Sequence, residues 1–337
     1  MPLDFKAMTQ SLDDCFNESG VRDLREFIGS HATANKWIVS SDFNTDPVET
    51  VHDVYAFACY PVERGVDELR RKIIEALPRD FKKTREISEL QRKFFEDRPC
   101  YCFVFIINRD TKYLRTGSND ADLVAARNLI DFTIEQLRGN GTGQSYIDQL
   151  LRLKQDALRR NFSISLFEKL LLLSLFNAYV CWKLASNTKL DLISCFPDRD
   201  KMTEYQDGLF YSLTYINYHS CWQTLFPLDQ LPQLKFPEPK TDNPGLRQLT
   251  DDLIRVPDFL SAVVARWDLR ANRVIKPENA TMRAMKRYVD LIRHWHADNQ
   301  DIWMCNPRIQ EDGYIVGRQV VSKARRRRKN GDKAKER

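Results

Sequence analysis

The eight-residue run CYCFVFII, residues 100–107, decides the fold class of this chain. It contains no charged side chain and consists mostly of aromatic and β-branched residues, so it predicts a β-strand that is buried on both faces. Strands of this kind occur in sheets that are covered by helices on both sides. The run therefore predicts an α/β fold with this strand in its interior.

Further strands and helices are predicted on either side of this run. Residues 37–43, 52–60 and 190–196 are rich in residues that favour strands, and polar or proline-containing segments follow them. Apolar residues recur at helical spacing in 66–77, most of 120–185, and 203–219. Because helices separate the last strand from the earlier ones, we expect a mixed sheet with helical crossovers.

Shifts in composition divide the 337 residues into five segments. Five prolines fall between residues 227 and 244, a density that is typical of an extended linker. The predicted segments are a helical lead (1–35), an α/β domain (36–222), a proline-rich linker (223–245), a helical C-terminal region (246–317) and a basic disordered tail (318–337).

The net positive charge of the chain comes from its tail. Nine basic and two acidic residues give the last fifteen positions a net charge of +7, so the other 322 carry −2 of the total of +5. Such a cluster attracts phosphate backbones with little sequence preference, which makes nucleic acid the expected partner. A solubilising terminus and a nuclear import cluster are the alternatives. The residues concerned are Arg325, Arg326, Arg327, Arg328 and Lys329.

Cysteine usage and hydropathy indicate a soluble protein. The eight cysteines form no CxxC pair, which argues against a zinc knuckle or a dithiol redox site and favours a reducing cytoplasm. The N-terminus lacks the pattern of a signal peptide. The most apolar stretch, residues 170–182, is too short to span a bilayer, so it predicts a buried helix and no membrane partner.

Aspartates follow two of the predicted strands. Asp42 ends the first strand, Asp198 follows the last, and Asp207 lies at the start of the next helix. Carboxylates that converge at one sheet edge can hold Mg²⁺ or Mn²⁺, which promote hydrolysis of phosphodiesters. Each aspartate also has a simpler explanation: Asp42 can cap a turn, Asp198 can be a solvated loop residue, and Asp207 can interact with the helix dipole.

The acidic pattern resembles a large group of bacterial proteins with an RNase H-like fold. Members open with an Asp-Glu-Ser-Gly strand and close with a Gln-x-Ala-Asp helix start. Here Ser41-Asp42-Phe43-Asn44 is similar to the opening and Tyr205-Gln206-Asp207-Gly208 to the closing signature, while Glu86 stands where the group often places a glutamate. Phe43 replaces the second acid of the opening, and the Gln–Asp spacing is shorter, so one metal is easier to build than two.

The resemblance covers roughly residues 36–220. It implies an RNase H-like mixed sheet with inserted helices, followed by a mostly helical C-terminal extension. It also implies a role in mobile elements or antiviral defence.

Two functional hypotheses follow. The first is a Mg²⁺- or Mn²⁺-dependent nuclease that hydrolyses DNA or RNA. Asp42, Asp198 and Asp207 would hold the metal, and Glu86 would add a ligand or orient water. The alternative is a non-catalytic accessory protein on the same fold, which binds nucleic acid or a partner protein. A protein partner or a homo-oligomer is also compatible with the sequence.

Overall fold

The computed structural model describes residues 4–45, 50, 52–79, 86–114, 118–139, 143–159, 161–223, 230–237, 243–268, 273–274, 288–289, 291–293, 295, 300–310 and 313–319. The basic cluster of the tail, Arg325, Arg326, Arg327, Arg328 and Lys329, lies outside the described residues.

Helices and strands are interspersed along the described part of the chain. The helices are α1 (Phe5–Ser19), α2 (Val21–Ser30), α3 (Val66–Ala76), α4 (Glu89–Glu96), α5 (Asn119–Gly139), α6 (Gln144–Asp156), α7 (Ile164–Asn187), α8 (Tyr205–Gln223), α9 (Pro244–Leu253) and α10 (Arg255–Ala265). The strands are β1 (Lys36–Asn44), β2 (His52–Pro61), β3 (Tyr101–Asn108), β4 (Leu192–Pro197), β5 (Gln233–Lys235), β6 (Trp267–Asp268), β7 (Arg273–Val274), β8 (Ile302–Gln310) and β9 (Gly313–Arg318).

Seven strands form one mixed sheet in the order β5-β4-β1-β2-β3-β8-β9. Strands β1, β2 and β3 are antiparallel neighbours, whereas β4 runs parallel to β1 and β5 parallel to β4. On the other side, β8 is parallel to β3 and β9 returns antiparallel to β8. This architecture confirms the predicted α/β class, and β3 lies inside the sheet as the apolar run predicted.

Helices cover both faces of the sheet, and each face has its own apolar core. On the first face lie α1, α2 and α5 to α8; on the second lie α3, α4, α9 and α10. Strand β1 alternates between the two: Trp37 and Val39 point to the first core and Ile38 to the second. Ser40 also points to the second face, since its hydroxyl donates to the carbonyl oxygen of Leu253 at 3.0 Å. The same alternation directs Asp42 to the second face.

Helix α7 is the central element of the first face. It spans 24 residues and is apolar enough, by length and composition, to cross a membrane. Its side chains are nevertheless buried for most of its length, between the sheet and α8. The predicted buried helix is therefore confirmed, and it extends beyond the apolar stretch of residues 170–182 at both ends.

The structure differs from the predicted division of the chain. Helix α1 packs against β9, so the helical lead belongs to the main fold. The predicted linker contributes β5 to the sheet. The predicted helical C-terminal region contributes α9 and α10, but also β8 and β9. Strand β5 is only three residues long, too short to show an alternating pattern, and Pro307 interrupts the strand signal of β8.

Candidate acidic site at the ends of β1 and β4

Asp42 occupies a buried position on the second face of the sheet. Its side chain lies beneath α10, which packs across β1 and β2, and the residue is only 8% exposed. The hydroxyl of Ser261 on α10 donates a hydrogen bond to Oδ2 of Asp42. A helix that begins well over 200 residues further along the chain therefore determines the surroundings of this carboxyl group.

Asp198 lies beside Asp42 because β4 runs parallel to β1. Pro197, the last residue of β4, is in register with Ser41. The backbone N–H of Asp198 then donates to the carbonyl oxygen of Ser41 at 2.8 Å, which continues the pairing one residue beyond the strand. The carboxyl ends of parallel strands meet at one edge of a sheet, and here that edge carries both aspartates.

The loop after Asp198 is held by its own side chains. Oδ1 of Asp200 accepts hydrogen bonds from the backbone N–H groups of Met202 and Thr203, at 2.7 and 3.0 Å. The hydroxyl of Thr203 in turn donates to the carbonyl oxygen of Asp198 at 2.8 Å. Asp200 therefore caps the turn, and this turn fixes the backbone of Asp198.

A third acid, Asp258, approaches Asp42 from the first turn of α10. Its charge raises the pKa of Asp42, as does the charge of Asp198. Asp258 was not among the site residues predicted from the sequence. The sequence nevertheless contains a pattern that could have identified it. In Arg255-Val256-Pro257-Asp258 an aspartate is the fourth residue at the start of an apolar helix, as in the Gln-x-Ala-Asp motif of the resembling family.

Burial and like charges make this site costly to ionise. Burial is the main cause that raises the pKa of Asp42 well above its usual range, followed by Asp258 and Asp198, while the Ser261 hydrogen bond lowers it. Burial also raises the pKa of Asp198, with a further contribution from Asp200. A bound cation would offset this repulsion, so the electrostatics suit a cation site.

The structure does not bring Asp207 to Asp42. Asp207 is exposed at the start of α8, which packs against α7 on the first face, whereas Asp42 faces the second. Gln206, Asp207 and Gly208 have positive φ values of 52°, 58° and 82°. Gln149 of α6 supports this left-handed turn by donating to the carbonyl oxygen of Gln206 at 2.8 Å. The predicted metal set must therefore be corrected at this residue.

Among the described residues, no contact links Glu86 to the acidic site. It is exposed just before α4, in a shallow depression that the end of α3 and the start of α4 line. Ile74, Leu77 and Gln91 are among the neighbours in this depression. The acids that raise the pKa of Asp42 are Asp258 and Asp198, and Glu86 is not one of them. Its predicted role as a ligand has no geometric support.

The donors at the acidic site suit one hard cation. Among the residues that the structure describes, no group of three or more His, Cys, Asp or Glu side chains is arranged to hold a metal ion. Mg²⁺, however, usually keeps several waters and needs only one or two carboxylates from the protein. Asp42 and Asp198 are two carboxylates that could serve in this way. Asn44 lies two residues beyond Asp42 on the same strand, and its Oδ1 is buried without a partner among the described residues.

Comparison with known proteins identified no relative of this chain: no protein-family model matches it, and neither a curated protein nor a solved structure does. The similarity to RNase H-like proteins therefore remains a proposal that rests on the motif residues and on the order of the strands.

Proposed function

We propose that this protein is a Mg²⁺- or Mn²⁺-dependent nuclease that hydrolyses phosphodiester bonds of DNA or RNA on an RNase H-like core. The observation that carries the proposal is the arrangement of five strands, β3-β2-β1-β4-β5, with three antiparallel strands followed by two parallel ones. An RNase H-like core has this order. Acids lie on β1, directly after β4, and at the start of α10, the second helix after β5.

The proposed metal ligands are Asp42 and Asp198, with the amide oxygen of Asn44 as a third donor. A bound divalent ion supplies Lewis-acid stabilisation of the phosphoryl oxygens and lowers the pKa of a bound water. Ser261 orients the Asp42 carboxylate through its hydrogen bond. Asp258, whose charge raises the pKa of Asp42, would accept a hydrogen bond from the attacking water. Asp258 would thus replace Asp207 as the third acid of the site.

A second candidate function is a non-catalytic accessory protein that binds nucleic acid or a partner protein. Two observations favour it. First, Asp42 is largely buried, and its Oδ2 already accepts a hydrogen bond from the Ser261 hydroxyl. Second, Phe43 stands where the resembling family has a second acid.

In either case the basic cluster at 325–329 is the proposed contact for phosphate backbones. All eight cysteines are free thiols, which supports a reducing cytoplasm as the proposed location.

A cleavage assay distinguishes the two functions. Labelled single-stranded, duplex and hybrid substrates are incubated with the purified full chain and Mg²⁺ or Mn²⁺. We expect cutting by the wild type, its loss in Asp198→Asn and Asp258→Asn, and its retention in the matched control Asp207→Asn. Melting temperatures should confirm that each variant folds. A wild type that shifts nucleic acid on a gel but never cuts it would establish the accessory function instead.

A further inference from the structure

The α5–α6 hairpin, which lies between β3 and β4 in the chain, carries an unusual share of exposed apolar side chains. Val124 and Phe132 on α5, Leu151 on α6, and Leu158 just after α6 are between 37% and 59% exposed. They account for four of the seven exposed large hydrophobic residues among those that the structure describes. We call these four residues the hairpin patch. Scattered apolar residues on a surface need no explanation, but a contiguous group indicates an interaction site.

The exposed residues of α5 form a stripe along one side of the helix. Their spacing of three and four residues is that of a seam between paired helices. The opposite side of α5 packs into the first core. The exposed stripe consists of Ala121, Val124, Asn128, Phe132 and Glu135, and the buried side of Leu123, Ala126, Ile130, Ile134 and Leu137.

The apolar residues of α6 extend the same surface. Lys154 of α6 forms an ion pair with Asp131 of α5 at 2.6 Å, so this side of α6 borders α5. Leu151 lies about one helical turn before Lys154, hence on the same side of α6, and Leu158 lies in the turn that follows the end of α6. Both helices of the hairpin therefore present exposed apolar side chains beside their common border.

Two opposite charges flank the stripe at its ends. Asp120 and Arg138 are both exposed, and neither forms an ion pair within the described part of the chain. Eighteen residues make five complete helical turns, so the two side chains project in the same direction, about 27 Å apart. In an antiparallel pair of α5 helices, Asp120 of each copy would lie near Arg138 of the other, which gives two attractive charge pairs. A parallel copy would instead place like charges together.

We propose that the hairpin patch is the interface of a two-fold dimer between two copies of this chain, with the two α5 helices antiparallel. Asn128 lies on the two-fold axis, where an amide can donate to and accept from its copy. Val124 then packs against the partner subunit's Phe132. Asp120 lies two residues out of register with the partner subunit's Arg138, an offset of about 3 Å that an arginine side chain spans.

Charge reversal tests the interface in the full chain by sedimentation analysis. The wild type should have twice the monomer mass. Asp120→Arg alone and Arg138→Asp alone should each be monomeric, because each brings like charges together at both ends. An equimolar mixture of the two single variants should dimerise, since both charge pairs are then attractive, and so should the double variant.

An apolar substitution completes the test. Phe132→Ser should give a monomer, whereas Leu90→Ser, which removes an exposed leucine on α4, should leave the dimer unchanged. Unchanged melting temperatures of the monomeric forms would confirm folding. A monomeric wild type, or single charge variants that dimerise as the wild type does, would overturn the proposal.

Discussion

The hydroxyl of Ser261 on α10 donates a hydrogen bond to Oδ2 of the buried carboxyl group of Asp42 on β1. This bond joins residues 219 positions apart and connects α10, the second helix after β5, to the first strand of the chain. The carboxyl group that it orients is also the one whose pKa is raised by burial and by two other acids.

Removal of this hydrogen bond should make Asp42 harder to ionise. In Ser261→Ala the pKa of Asp42 should rise further, because the hydroxyl now lowers it. The lost hydrogen bond should also reduce the free energy of unfolding by about 0.5–1.5 kcal/mol. Denaturant titration and the pH dependence of Mn²⁺ binding measure the two effects. Ser261→Thr, which keeps the hydroxyl, is the control; an unchanged pH midpoint in Ser261→Ala would contradict the prediction.

The raised pKa values of Asp42 and Asp198 predict the pH dependence of stability without metal. A carboxyl group whose pKa is higher in the folded than in the unfolded state binds more protons when folded, so stability falls as pH rises between the two values. The decrease should begin near pH 4, the ordinary aspartate range. Each tenfold difference in proton affinity between the folded and unfolded states lowers the free energy of unfolding by about 1.4 kcal/mol.

Asp42→Asn removes the larger part of this dependence. In buffer with chelator we expect the variant to melt at a higher temperature than the wild type at neutral pH, with a difference that disappears below about pH 4. Thermal melts across this range measure it. A neutral-pH melting temperature below that of the wild type would show that the ionised Asp42 stabilises the fold.

Divalent cations should stabilise the wild type by occupying the acidic site. At a concentration one hundred times the Kd, binding contributes about 2.7 kcal/mol to the free energy of unfolding. Because Asp42 must lose its proton to bind, Mn²⁺ binding should release protons, which calorimetry in two buffers of different ionisation enthalpy detects. Asp198→Asn should abolish both effects and Asp207→Asn neither. Equal stabilisation of both variants would place the ion elsewhere.

Any side chain at Gly20, between α1 and α2, should destabilise the fold. A Cβ atom there would lie 2.7 Å from ring atoms of both Phe16 and Trp303, which are fully buried. Gly20→Ala should therefore cost about 1–3 kcal/mol in the free energy of unfolding. Gly29→Ala in α2, where nothing lies within 4 Å, should instead stabilise by about 0.5–1 kcal/mol. Urea denaturation of the two variants measures the contrast, and equal effects would contradict it.

Local patterns predicted the centre of the sheet well. The predicted strands at 37–43, 52–60, 100–107 and 190–196 correspond to β1 to β4 within a few residues at each end. The acids at the ends of β1 and β4 do lie at one edge of the sheet, as expected. Both predictions depend on the apolar content of single segments and on the geometry of parallel strands.

Long-range pairing could not be predicted in the same way. Strand β5 has three residues, and its place in the sheet depends on β4 rather than on any pattern of its own. The sequence also could not distinguish Asp207 from Asp258 as the third acid, because each stands near the start of an apolar helix. Their surroundings differ only in the tertiary structure: Asp207 is exposed in a left-handed turn on the first face, whereas Asp258 is half-buried on the second face.

The sequence by itself determined the α/β class, the four central strands and the positions of Asp42 and Asp198, because periodicity and strand ends are local properties of the chain. The tertiary structure decided which third acid joins them. It places α8 with Asp207 on one face and α10 with Asp258 and Ser261 on the other, because the two helices bury their apolar sides in different cores. Only the second core adjoins the carboxyl group of Asp42, so only α10 can act on it.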